Sequence, residues 1–271
     1  MASVHPVRQY GGTEGLEVGG EGMCYTSSGG GVAAYTNTAT TKALNAYLQI
    51  NALSTANASS FTYSGWLKTA GGGGMRLFNH DPAVNANVWC EFLNGSPALI
   101  TTSWADLNYD SQFSVESLGP ARPASSDWQH VLMSVDTNHA SGARLFACYV
   151  DDTLTSDTIL QDYGSAFSMP FSGIQFDMPD TEAGNPAGDW FDLQFWHGVS
   201  ILSGNSISQA NRRLFIDGSG NPVDPATAVA SLGARTVFLS GSASSFVVNG
   251  GTGGSIVVNG SFSNAATSPT D

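Results

Sequence analysis

Residues 125–153, SSDWQHVLMSVDTNHASGARLFACYVDDT, decide how the rest of the chain is read. Two apolar-rich runs flank a polar loop, TNHASGA, and each run alternates. In the first, Gln129, Val131, Met133 and Val135 fall to one side, and Trp128, His130, Leu132 and Ser134 to the other. In the second, Leu145, Ala147 and Tyr149 oppose Arg144, Phe146, Cys148 and Val150. A period of two belongs to a β-strand, because successive Cβ atoms leave opposite faces of a sheet. The stretch predicts a hairpin whose apolar face lines a core, with the mixed face solvated or covered by loops.

Outward from this hairpin, composition narrows the function classes. Only 11% of the 271 residues are charged, yet 22 acidic and 9 basic side chains leave a formal net charge of −13. Phosphate contacts need clustered Lys and Arg, and Arg212-Arg213 is the one adjacent basic pair. Direct nucleic-acid binding is not expected. The opening MASVHPVRQYGG has no apolar core of a secretory leader, and no run reaches the roughly 20 apolar residues of a spanning helix. Membrane insertion is not expected either. Cys24, Cys90 and Cys148 are odd in number and lack CxxC spacing, so they read as buried free thiols made in a reducing cytoplasm.

Strand patterns recur along the chain. LNAYLQI is followed by FTYSGWLKT, in which Phe61, Tyr63, Gly65 and Leu67 alternate with Thr62, Ser64, Trp66 and Lys68. MRLFNH, VWCEFLN, ALITTSW and FSVESLG precede the hairpin, and WFDLQFWHGVSI, RTVFLSG, SSFVVNG and GSIVVNG come after it. In WFDLQFWHGVSI, simple alternation puts Phe191, Leu193 and Phe195 on one face and Trp190, Asp192, Gln194 and Trp196 on the other. One segment departs from this period. SGNSISQANRRLFIDGSGNPVD offers Asn205 or Ser206 as an N-cap and Ile207, Ala210 and Leu214 at helical spacing, with Arg212 and Arg213 in the last turn. Many short strands with turns between them and one short helix predict an all-β sandwich of two antiparallel sheets. Residues 1–43 read as a Gly-rich N-terminal arm or edge segment and 44–240 as the sandwich domain. Residues 241–271 read as Gly/Ser/Asn-rich C-terminal strands and tail, suited to assembly by adding strands to a neighbour's edge.

The order of these elements resembles the concanavalin A-like or laminin-G-like jelly roll. Phe61, Thr62 and Trp66, then Trp128, His130, Val131 and Asp136, then Val150 and Asp151 match its signature positions over about residues 44–240. The closing part is similar to proteins of tailed phages, virion or tail-associated components, in which a helix ending in R-R-x-F-I precedes G-x-P-V-D. The matching residues are Arg212, Arg213, Phe215, Ile216, Gly220, Pro222, Val223 and Asp224. This resemblance implies a structural or host-recognition protein, built in the bacterial cytoplasm and carried on the particle.

Candidate chemistry is sparse. Glycoside hydrolysis needs two carboxylates about 5–9.5 Å apart. Asp189 and Asp192 are spaced by three, which separates them onto opposite faces of a regular strand. No Ser-His-Asp or Cys-His pattern stands out, and His130 reads as a hydrogen-bonded imidazole on a sheet. Calcium, bound by hard oxygen ligands, is compatible with Asp106, Asn108 and Asp110, with Asp177, Asp180 and Glu182, and with Asp151-Asp152. For a sugar, aromatic platforms beside polar groups single out Trp104 and Tyr109, read as loop residues flanking carboxylates, and Trp190 with Trp196.

The expectation is a non-enzymatic structural protein of a phage particle, such as a capsid decoration, tail or fibre component. It would form homo-oligomers and meet other virion proteins through its terminal extensions. The alternative is a lectin-like module for host-surface glycans, assisted or not by calcium. A glycoside hydrolase stands third.

Overall fold

The computed structural model describes residues 35–41, 43, 46–50, 53, 56–68, 77–78, 127–138, 144–156 and 187–271 in full, and elsewhere the backbone of strands. The chain forms two compact units, Met1–Thr36 and Asn37–Asp271. In the first, strands β1 (Gly15–Val18) and β2 (Met23–Thr26) pair antiparallel.

The second unit continues with β3 (Thr40–Lys42), β4 (Tyr47–Ile50), β5 (Ser60–Thr69), β6 (Gly74–His80), β7 (Val88–Leu93), β8 (Leu99–Ala105) and β9 (Ser111–Leu118). Next come β10 (Gln129–Asp136), β11 (Leu145–Val150), β12 (Thr153–Leu154), β13 (Ser156–Asp162), β14 (Phe176–Asp177) and β15 (Gly188–His197). Helices α1 (Gln209–Arg212) and α2 (Pro225–Leu232), strand β16 (Val237–Leu239), helix α3 (Ala243–Phe246) and strands β17 (Ile256–Asn259) and β18 (Phe262–Asn264) complete it. One eight-stranded sheet runs β12-β11-β10-β5-β15-β3-β18, with β16 also on β15. The other runs β13-β9-β8-β7-β6-β14-β4-β17. All described pairings are antiparallel. This is the expected all-β jelly-roll sandwich.

The predicted hairpin is β10 paired with β11, Val131 opposite Val150 and Asp136 opposite Leu145. Val131, Met133, Val135, Phe146, Cys148 and Val150 face the other sheet, whose Leu48, Ile50, Leu77 and Phe78 close the core. At its centre Phe61 stacks on Phe195 at 5.3 Å and meets Phe78 edge-on at 5.6 Å. The mixed face is covered rather than solvated. Leu132, Ala147, Tyr149 and Trp196 pack under Ile201, Ile207, Phe215 and Ala228, a second apolar cluster formed by the chain between β15 and β16. Because both faces are buried, alternation in β10 reports which of two cores a residue joins.

Among the described residues there are three short helices where one was expected, and α1 begins later than predicted. Its N-cap is Ser208, whose Oγ accepts from Asn211 N at 3.2 Å. Asn205 and Ser206 belong instead to a turn closed by Ser203 N donating to Ser206 O. Helix α2 is capped by Asp224, with Pro225 in its first turn and Gly233 at its end. The run SSFVVNG is not a strand: its first half is α3, which delivers Phe246 to the core. The tail folds back within the unit. β17 pairs with β4, and β18 with β3, which lies within the segment read as an N-terminal arm.

A bulge in β15 corrects another expectation. Phe191 pairs with Trp66 and Gln194 with Ser64, so Asp192 and Leu193 together span one step of β5. Asp192 takes φ 48°, a left-handed conformation that non-glycine residues rarely adopt. The extra residue switches the phase of the strand. Trp190 therefore enters the inter-sheet core and Trp196 the outer cluster, instead of sharing a face. Opposite the bulge, a Cβ at Gly65 would collide with Leu193, which takes up that space.

Candidate functional site

Few of the residues singled out for chemistry come together. Trp190 and Trp196 are both 0% exposed, which corrects their assignment as sugar platforms. Trp196 packs edge-on against Phe215 and donates its indole N–H to Gly233 O at 3.1 Å. Trp104 lies within β8 opposite Val88 and Phe113, not in a loop. Asp177 lies in β14, opposite Gln49 and Asn79. Tyr109, Asp106, Asn108, Asp110, Asp180 and Glu182 lie outside the described residues. Among the described residues, no three His, Cys, Asp or Glu side chains stand together as a metal site. Cys148 is a buried free thiol, as expected; Cys24 and Cys90 have no described side chains.

The signature residues have structural roles. Phe61, Val131 and Val150 are core residues, and Trp66 tilts against the His130 ring at 4.9 Å. Trp128, half-buried, meets Phe191 edge-on. Asp151 and Asp152 form the two-residue turn between β11 and β12, both at positive φ, the geometry that a tight hairpin requires. Asp151 Oδ1 accepts from His130 N at 2.8 Å. Asp152 is gripped by Arg212 Nε at 2.5 Å and Arg213 Nη2 at 2.8 Å. Partial burial pushes the Asp152 carboxyl upward, but hydrogen bonds from Arg213 and Arg212 outweigh it and hold it below the usual range. Two guanidinium groups thus occupy a carboxylate considered for calcium. They also pin the covering segment to the hairpin turn.

Ser64 Oγ and His130 Nε2 stand 2.9 Å apart, a spacing seen in nucleophile–base pairs. Both residues are buried, the Trp66 ring tilts against the imidazole, and His130 Nδ1 has no hydrogen-bond partner among the described residues. Burial lowers the His130 pKa to about 3, against a smaller upward pull from Asp152. A neutral imidazole sealed in this way packs the sheet.

An open cleft of about 480 Å³ is lined by Phe238, Ser240, Ser244, Ser245, Val248 and Gly250. Its framework is built by the bulge and by two asparagines, Asn37 and Asn249. Bulge residue Asp192 accepts through Oδ1 from Ser240 Oγ and from Asn37 Nδ2, the latter at 3.3 Å; Asn37 also reaches Ser240 Oγ at 2.7 Å. Asn249 Oδ1 accepts from Phe238 N and Gly251 N, while its Nδ2 donates to Thr236 O and Gly254 O, folding the loop around β16. Arg235 lies over the Phe238 ring, 3.5 Å from its centre, and donates to Gln194 Oε1 at 3.0 Å. A Cβ at Gly250 would come within 3.1 Å of Phe238 Cδ1, so glycine lets loop and ring meet closely. The second carboxylate weighed for hydrolysis, Asp189, accepts from Thr41 Oγ1 at 2.6 Å.

None of the cleft residues was singled out from sequence, because SSFVVNG reads as an alternating strand. The signal present was Gly241 before a serine-rich run, a turn and helix start.

No family model matches the chain, and no curated protein matches it in sequence. Among solved structures, it is similar to a native heptameric SAP-like pentraxin from Limulus polyphemus. The TM-score is 0.50 with 11% identity, over 84% of this chain and 94% of the pentraxin. It is also similar to a protein from Bacteroides ovatus described as "a putative carbohydrate binding protein". There the TM-score is 0.53 with 15% identity, over 86% of this chain and 61% of the other. At these identities the likeness establishes the fold.

Proposed function

We propose that this protein is a non-enzymatic, lectin-like module that binds glycans through the Phe238–Gly250 cleft. The observation that carries the reading is the cleft itself, which sets an aromatic ring beside three serine hydroxyls over a hydrogen-bonded framework. Small-molecule sites join apolar surface to a few placed polar groups in clefts of about 300–1,000 Å³, and this one falls in that range. Sandwiches of similar shape in a pentraxin and a protein described as carbohydrate-binding support it. A glycan array probed with the intact chain tests the reading. Retention of defined oligosaccharides is expected, with at least tenfold weaker retention for Phe238→Ala; an array blank at all positions would refute it.

A second reading, a structural component of a phage virion, is favoured by a different feature. From Ser240 to Thr270 no side chain carries a formal charge, although the chain as a whole is at −13. This stretch includes edge strand β17 and exposes Val248, Val257 and Val258 at 63%, 43% and 44%. A neutral edge of this kind suits contact with a neighbouring subunit.

A further inference from the structure

Resting on the glycan-binding reading, we infer that the cleft takes an uncharged pyranose unit and discriminates against acidic sugars, with no metal ion at the contact. The argument starts from where the Ser240 proton goes. A hydroxyl has one proton and two lone pairs. Ser240 Oγ donates to Asp192 Oδ1 and accepts from Asn37 Nδ2, which leaves one lone pair. Towards a ligand, Ser240 therefore acts as an acceptor. A sugar hydroxyl can donate to it, whereas a carboxylate or sulfate would set its own lone pairs against that oxygen, with the Asp192 carboxylate directly behind.

Nothing in the lining offsets that repulsion. The six lining residues carry no charge. Arg235 is not among them: its guanidinium is held between the Phe238 ring and the Gln194 Oε1 acceptor. The Ser244 and Ser245 hydroxyls lie 3.0 and 3.3 Å from Ser242 Oγ, and each keeps further donor or acceptor capacity for a ligand, matching the mixed hydroxyl pattern of a neutral sugar. Phe238 and Val248 supply the apolar surface against which the C–H side of a pyranose ring can rest. Calcium demands several oxygen ligands, usually including carboxylates, and no carboxylate lines the cleft.

The test is isothermal titration of the full chain with methyl β-D-glucopyranoside, methyl β-D-galactopyranoside and methyl α-D-mannopyranoside. D-glucuronate serves as the acidic counterpart, and each titration is run with EDTA and with added calcium. At least one neutral glycoside should bind ten times more tightly than glucuronate, unchanged by EDTA. Its affinity should fall at least tenfold in Phe238→Ala and in Ser244→Arg, the latter at an exposed position where folding is not at stake. Equal or tighter binding of glucuronate would overturn the inference, as would loss of binding in EDTA. Neutral binding unchanged in both variants would overturn this site while leaving the glycan reading standing. A glycan array positive for acidic glycans alone would overturn only the inference, and a blank array would end both.

Discussion

His130 shows how far a single residue depends on its surroundings. Alternation placed it on the mixed face of β10, where an imidazole at a sheet surface would titrate near its usual pKa. Fully buried and packed against the Trp66 ring, it is held neutral, with its pKa lowered to about 3. Its folded pKa lies below that of the unfolded chain. The folded state therefore gives up stability as pH falls from about 6.5 to about 3, since the unfolded chain takes up a proton that the folded one refuses. Over that window the loss is on the order of a few kcal/mol. Thermal melts between pH 7 and 4 should show a falling Tm, with a shallower slope in His130→Gln, which keeps a hydrogen-bonding group near Ser64 but cannot titrate. Equal slopes would refute this account.

At the scale of elements, the covering segment depends on one turn. Asp152 holds Arg212 and Arg213, and the same turn accepts from His130 N through Asp151. Asp152→Asn would weaken both charge-assisted contacts at a site about a quarter exposed, costing about 1–2 kcal/mol after solvent screening. The expected result is a Tm lower by roughly 3–8 °C. Faster hydrogen exchange should appear over residues 201–216, with the inter-sheet strands unchanged. A uniform rise in exchange would instead mean that the cover is no separate unit. The helix reading shows which parts were legible here. Arg212 and Arg213 do lie at the end of a helix, but the geometry of α1 follows from Ser208 and from an upstream turn held by backbone contacts that no spacing announces. Asp224-Pro225 with Gly233 was an ordinary helix signature, hidden because the preceding Pro222 reads as a stop.

Across the whole molecule, a period of two was enough to expose the sandwich, because antiparallel strands advertise their faces. What it could not expose was the site. The cleft joins Asn37, Asp192, Ser240 and Phe238, residues far apart in the chain, and the switch at Asp192 is invisible to any rule of strict alternation. The virion reading belongs at this scale too. If the uncharged edge around β17 seats a neighbouring subunit, sedimentation of the purified chain should give a mass above that of one copy, and Val257→Lys should return it to a monomer. A monomer at high concentration, with no affinity for particle components, would remove that reading.

The left-handed residue of β15 has one last consequence. Asp192 is a supernumerary residue, so excising it would leave Phe191 opposite Trp66 and Gln194 opposite Ser64, with every neighbour still on its present side. The carboxylate behind the serine would vanish while both greasy layers kept their membership. On the glycan-binding reading, recognition and architecture are thus separable at a single codon, and evolution could add or erase the one without renegotiating the other.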